Sequence, residues 1–431
     1  MSNTFCPLPW IHLATRPNGD VRVCCTANAS GAGKKDEKEA GIVKQDGIRM
    51  NLRDHSIEEI WNSSHMRRTR LQMLNGEIPQ SCQKCFVEES KGIRSKRNWE
   101  SEVWKERLDI DSIVAKTSKD GSLPVEIPYY DLRLGNLCNL KCVMCSPHDS
   151  SSWIKDWKLQ YPNYKNKDLI DGENWNPAFD YTWYKKSSFI NSIKDDAKNI
   201  KELYFAGGEP LLIPEHSAIL DFMIESGNAK NCVLRYNTNG TIIEDSMINK
   251  WENFKSVKVN FSLDSISDRN EYIRYPSVWK DVVSNLEKLD QTSDNIVVNL
   301  ACAVQLLNIT TLPLLAEWKQ DMKFKKINKP PFGAGTIGLH LVYLPSHMNV
   351  KVLPKRIKDQ AAENIANFIT KQTDKEFIQN PYGKQRWQGL VNYMYSEDWS
   401  SKLPATIEFL TSCDKTRNTN FRDIFPELGE L

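Results

Sequence analysis

From about residue 127 onward the chain alternates short apolar runs with longer amphipathic ones. The short runs are Tyr129–Leu134, Glu202–Ala206, Cys232–Asn237, Val257–Leu263, Ile296–Val304 and Ile337–Leu344. Each is rich in β-branched or aromatic residues and has the length of a strand. Between most of them lie helical patterns such as PEHSAILDFMIES and VWKDVVSNLEKL. Strand–helix alternation of this kind predicts an α/β fold with a parallel sheet. Six such units suit a partial (β/α)6 barrel. In barrels of this type chemistry sits on loops at the C-terminal ends of the strands.

Two regions depart from that rhythm. Residues 150–199 interrupt it with Trp153, Trp157, Tyr161, Tyr164, Trp175, Tyr181, Trp183 and Tyr184. This stretch reads either as a helical excursion with its own small core or as a lid or substrate wall. Residues 1–125 carry a turn signal at Pro17–Val21 between two short strands. They also carry a helical period over Ser56–Gly76, opened by a capping box of Ser56 and Glu59. A domain with so little core calls for a staple, often a metal. Residues 354–431 read as helical, which gives three regions: 1–125, 126–353 and 354–431. The basic run Lys323–Pro331 reads as a solvated loop.

Composition narrows the function classes. A chain of 431 residues with 40% hydrophobic and 26% charged content is an ordinary globular protein, and a net charge of +2 supplies no field for nucleic acid or an anionic membrane. No apolar run approaches the ~20 residues needed to span a bilayer. The N-terminus has no signal-peptide pattern, so the expected location is the cytoplasm. Eleven cysteines, an odd number, argue against a disulfide framework. Cys232, Cys302 and Cys413 stand alone and read as buried small hydrophobes. The other eight fall in two groups.

CNLKCVMC holds Cys138, Cys142 and Cys145, directly after the first strand of the alternating region. A cubane iron–sulfur cluster takes one thiolate per iron, so three cysteines leave one iron open. Zinc completed by His148 has the same formal claim. Gly135, Asn136 and Asn139 supply turn chemistry around the loop. FAGGEPLL (Phe205–Leu212) ends the second strand, where paired glycines permit close backbone approach and Glu209 adds a carboxylate. Asn237, Thr238 and Asn239 end the third strand. Asn260, Ser262 and Asp264 share one face at the end of the fourth.

The CxxxCxxC loop with apolar Met144 before its last cysteine, followed by GGEP at the next strand end, resembles the radical S-adenosylmethionine (SAM) superfamily. The resemblance implies that Cys138, Cys142 and Cys145 bind a [4Fe–4S] cluster whose open iron takes SAM. It implies contacts to SAM from Met144, Gly207, Gly208, Glu209, Asn237, Ser262 and Asp264. The regions near Val304 and His340 are expected to meet adenine or substrate. The implied reaction is reductive cleavage of SAM to a 5′-deoxyadenosyl radical that abstracts hydrogen from substrate. It requires an external flavodoxin- or ferredoxin-like electron donor.

The second group is Cys6, Cys24 and Cys25 around the hairpin, with the CxxC pair Cys82 and Cys85. Four thiolates suit a closed iron–sulfur cluster or a Zn(Cys)4 site. The pattern resembles the SPASM and twitch auxiliary-cluster extensions of radical SAM enzymes, though it precedes the barrel instead of following it. Five cysteines imply one auxiliary [4Fe–4S] cluster held by Cys6, Cys24, Cys82 and Cys85, with Cys25 as the alternative to Cys24. In relatives such a cluster accepts the electron left after hydrogen abstraction or helps hold substrate. The implied substrate is a peptide or a small molecule. The competing reading is a non-catalytic iron–sulfur or zinc-binding protein derived from this fold.

Overall fold

The computed structural model describes residues 2–27, 41–90, 94–165, 176, 178–328, 336–373, 375–379 and 383–431. Trp175 and the end of the basic run, Lys329–Pro331, lie outside the described residues. The chain divides into two compact units. The first holds residues 1–136, 178–235 and 253–255; the second holds 137–177, 236–252 and 256–431.

In the first unit β1 (His12–Thr15) and β2 (Val21–Arg22) form the hairpin expected around Pro17–Val21. Gly19 turns it at φ 85°, and a Cβ there would strike Asn51 Oδ1 at 2.6 Å and the Trp183 ring at 2.8 Å. Asn51 locks the turn, donating to Asn18 O at 2.8 Å and Asp20 Oδ1 at 2.9 Å. A second short hairpin follows, β3 (Lys44–Gln45) with β4 (Ile48–Arg49). The Ser56–Glu59 capping box is formed. The helical period breaks in two, however, into Ile57–Trp61 and Ser64–Leu74, because Ser63 caps the second helix itself.

Strand β5 (Tyr129–Arg133) pairs in parallel with β6 (Glu202–Ala206) and, on its other side, with β1, matching His12 to Tyr129. The N-terminal hairpin is therefore part of the same sheet, a join that neither run announces alone. Tyr129, Tyr130, Asp131 and Leu132 are all buried, as expected of a strand covered on both faces.

Strand β7 (Val233–Thr238) begins in the first unit and ends in the second. The second unit continues with β8 (Ser256–Ser262), β9 (Ile296–Val304) and β10 (Gly338–Leu341), paired in parallel. Along β9, Ile296, Val298, Leu300, Cys302 and Val304 are buried while intervening residues are at least partly exposed. Cys232, Cys302 and Cys413 are all fully buried, behaving as core hydrophobes. All six expected strands form, giving an α/β fold with a mostly parallel sheet. The region after residue 354 is helical: Lys355–Lys371, Lys384–Tyr395 and Leu403–Arg417. No helix among the described residues is long and apolar enough to cross a membrane.

The described part of the aromatic stretch is divided between the two units. Trp153 and Trp157 lie in the second unit, where Trp153 packs on Phe409 at 5.9 Å between ring centroids. Trp183 and Tyr184 lie in the first, where the Trp183 indole donates to Pro17 O at 2.9 Å. Trp153, Trp157 and Tyr164 are buried in the second unit and Trp183 and Tyr184 in the first.

One buried cation gives a pH test of the second unit. Lys319 is 1% exposed, its Nζ donates to Thr336 O at 2.7 Å, and burial pulls its pKa down to about 7. The folded pKa lies below the unfolded one, so between about pH 7 and 10.5 the unfolded chain binds a proton that the native chain does not. Stability therefore rises with pH through that window. The stability difference between wild type and Lys319→Met should move in favour of wild type from pH 7 to pH 10. A flat difference in urea unfolding would contradict the assignment.

Candidate functional site

The cysteine loop lies in the second unit, and its backbone is held at nearly every step. Lys141 N donates to Tyr275 O at 2.5 Å and Val143 N to Ile273 O at 2.9 Å. The carbonyls are capped by side chains. Ser152 Oγ donates to Cys138 O at 2.7 Å, Ser150 Oγ to Leu140 O at 2.5 Å, and the Trp153 indole to Cys142 O at 2.9 Å. Most of the loop's backbone polar groups are satisfied in this way by partners other than the sulfurs. Asn239 Nδ2 lies 3.9 Å from Cys138 Sγ and donates to Asn139 Oδ1 at 2.9 Å. Met144 is partly exposed beside the buried Cys142.

The thiols of Cys142 and Cys145 are hydrogen-bonded to each other, and Cys138 is close enough to act electrostatically on Cys145. That hydrogen bond pulls the Cys142 thiol below its usual range against the cost of burial; the Arg274 and Arg417 guanidiniums add to the effect. Arg274 Nε forms an ion pair with Asp264 Oδ2 at 2.8 Å. Asp264 is fully buried, also accepts from Ala303 N at 2.7 Å, and has its carboxyl pushed up by burial despite Arg274. Neither arginine was legible in the sequence. They reach the loop from residues far along the chain, and no local motif marks them.

The other expected SAM contacts divide between the units. In the second unit, Asn237 is exposed and accepts from Asn260 Nδ2 at 2.9 Å, and Ser262 is half-buried at the end of β8. Val304 is buried at the end of β9 and His340 is exposed on β10. In the first unit, Gly207 follows β6 at φ 109°, and a Cβ there would meet Arg133 Cβ at 3.1 Å and Gly135 O at 3.3 Å. The glycine thus lets the ends of β5 and β6 close on each other. Gly208 follows it, half-buried. Glu209 is buried, and its carboxylate accepts from Leu211 N at 3.2 Å, capping the turn Pro210–Leu212.

The second cysteine group lies wholly in the first unit. Cys6, Cys24, Cys82 and Cys85 line one small cavity together with Met73, Lys96 and Arg97. Cys25 is not among the lining residues; its electrostatic neighbours are Lys96, Asp131 and Arg133. Burial, then the proximity of Cys24, pushes the Cys82 thiol up to about 12, and burial with Cys82 close by raises Cys6 as well. Four crowded thiols with two cations beside them fit a bound metal group, which takes its cysteine ligands as thiolates.

The same donors do not fit a single ion. Zinc at ~2.3 Å from each sulfur requires ligands about 4 Å from one another. Among the described residues no three His, Cys, Asp or Glu side chains are placed to hold one metal ion, His148 with the loop cysteines included. A multinuclear cluster holds its thiolates farther apart.

Comparison with known proteins gives two domain matches. The iron–sulfur cluster-binding domain SPASM matches residues 6–86, and the radical SAM superfamily matches residues 132–303. No curated protein matches the chain. Among solved structures, the chain is similar to native anSMEcpe with bound AdoMet and Cp18Cys peptide, at 15% identity and a TM-score of 0.36 over 61% of this chain and 64% of that one. It is also similar to Streptococcus suis SuiB bound to S-adenosylmethionine, at 13% identity and a TM-score of 0.30 over 79% of this chain and 71% of that one. The chain thus spans about 64% of the length of the first of these proteins. SAM and iron–sulfur clusters are the cofactors that the two domains imply. The chain carries a radical SAM domain over residues 132–303, preceded by a SPASM domain over residues 6–86.

Proposed function

We propose that this protein is a radical SAM enzyme that oxidises a peptide or small-molecule substrate with the help of one auxiliary cluster. The observation that carries the reading is the contrast between its two thiol sets. One has three cysteines on a rigidly capped loop and is left incomplete. The other has four cysteines around one cavity, enough to complete a cluster. When bound, a reduced cluster and SAM supply a 5′-deoxyadenosyl radical for hydrogen abstraction.

Cys138, Cys142 and Cys145 would ligate three irons of the first cluster and leave the fourth for the amino and carboxylate groups of SAM. Gly207 and Gly208 would bring backbone close to the cofactor, with Glu209 accepting from its amino group. Met144, Asn237, Ser262 and Asp264 complete the proposed SAM contacts. Cys6, Cys24, Cys82 and Cys85 would hold the auxiliary cluster, which would supply an acceptor for the electron left on the substrate. Electrons for the first cluster come from an external flavodoxin- or ferredoxin-like donor, and the expected compartment is the cytoplasm.

Anaerobically purified protein should be brown, with roughly seven to eight irons per chain. With dithionite and SAM it should form 5′-deoxyadenosine, measured chromatographically. Cys82→Ala should drop the iron content to about four per chain while 5′-deoxyadenosine formation persists. A colourless, zinc-loaded protein would sink the reading. Loss of SAM cleavage in a folded Cys82→Ala protein would sink the division of labour between the two sites.

A further inference from the structure

Helix Leu403–Arg417 ends on a buried cation. Arg417 is 6% exposed. Its Nη2 donates to Lys141 O at 2.7 Å and its Nη1 to Tyr272 O at 3.1 Å. Its guanidinium carbon lies 4.9 Å from the Tyr275 ring centroid, 5.3 Å from that of Trp153 and 5.8 Å from that of Tyr272. Two carbonyls and three aromatic faces are weak compensation for a full positive charge taken out of water.

Two of the nearby carboxylates are paired with other cations, and the third is held by neutral donors. Asp414, one turn back on the same helix, accepts from the Tyr272 hydroxyl at 3.0 Å, from Thr419 Oγ1 at 2.9 Å and from Phe421 N at 3.1 Å. Asp156 is paired with Lys141 Nζ at 2.5 Å, and Asp264 with Arg274 at 2.8 Å. Among the described residues Arg417 forms no ion pair. A buried unpaired cation is strongly unfavourable unless an anion is supplied from elsewhere.

The position of Arg417 says where that anion belongs. It holds the carbonyl of Lys141, the residue before Cys142, and it lies over Trp153, whose indole holds the carbonyl of Cys142. We propose that Arg417 is a positioning residue for the cysteine loop. It fixes the Lys141–Cys142 peptide, and its charge is balanced by the anionic cluster–thiolate assembly on Cys138, Cys142 and Cys145, whose reduction potential it raises. The inference rests on reading that loop as a cluster site. Reduction adds one electron to the assembly, so a fixed buried cation stabilises the reduced form more than the oxidised one. The helical C-terminal region thereby acts directly on the redox centre.

The test is an EPR redox titration of cluster-loaded protein, following the reduced-cluster signal that changes when SAM is added. Arg417→Gln should lower the midpoint potential of that signal, and Arg417→Lys should restore most of it. An unchanged potential in Arg417→Gln overturns the inference. If Arg417→Gln does not load its cluster, Arg417→Lys decides instead: keeping the charge, it should load the cluster and give a midpoint potential near that of wild type, and failure to load or a clearly lowered potential in Arg417→Lys overturns the inference. Absence of any SAM-responsive signal in wild type would instead refute the cluster assignment of the loop.

Discussion

Cys142→Ala is expected to abolish 5′-deoxyadenosine formation while leaving the protein folded. The backbone at this position is held independently of the sulfur. Val143 N is bonded to Ile273 O at 2.9 Å and Cys142 O accepts from the Trp153 indole at 2.9 Å. Alanine keeps both bonds, so the loss is of one ligand and not of the loop. Two thiols cannot retain a cube that needs three protein ligands here. Iron should fall from roughly seven to eight to about four per chain, the remainder sitting in the auxiliary site. Circular dichroism and Tm of the cluster-free state should match those of cluster-free wild type. SAM cleavage surviving in this variant would disprove the assignment.

Asp264→Ala should be the most destabilising single change in the second unit. The carboxylate is fully buried, 2.8 Å from Arg274 Nε and 2.7 Å from Ala303 N. Removing it leaves a buried guanidinium without its partner, which costs about 3–5 kcal/mol. Urea unfolding of the loaded protein measures the change, and a loss below about 1 kcal/mol would show that the pair is not a structural brace. Asp264 was singled out in the sequence as a SAM contact on the same strand face as Ser262. In the structure its carboxylate is turned to Arg274 and Ala303, so its proposed contact with SAM operates through a group already braced by the protein.

The strands were readable from the chain because each is a run of β-branched and aromatic residues bounded by breakers. The period-2 burial of β9 is the clearest case. The cysteine sets were readable because their spacing is local. Most of what escaped is long-range. The break at Ser63 was hidden inside a continuous helical period. Arg274 and Arg417 sit in segments that resemble any surface helix end, and only packing makes them neighbours of Cys142. The pairing of β1 with β5 joins residues more than a hundred positions apart, and periodicity carries no information about partners at that distance.

That last pairing also orders events during synthesis. His12–Thr15 leaves the ribosome long before Tyr129–Arg133, its parallel partner. At ordinary elongation rates the delay is roughly 6–23 seconds. For that interval the nascent hairpin presents an open ladder edge together with cysteines that have no cluster. Cluster insertion and strand docking thus compete with aggregation and thiol oxidation on the same clock.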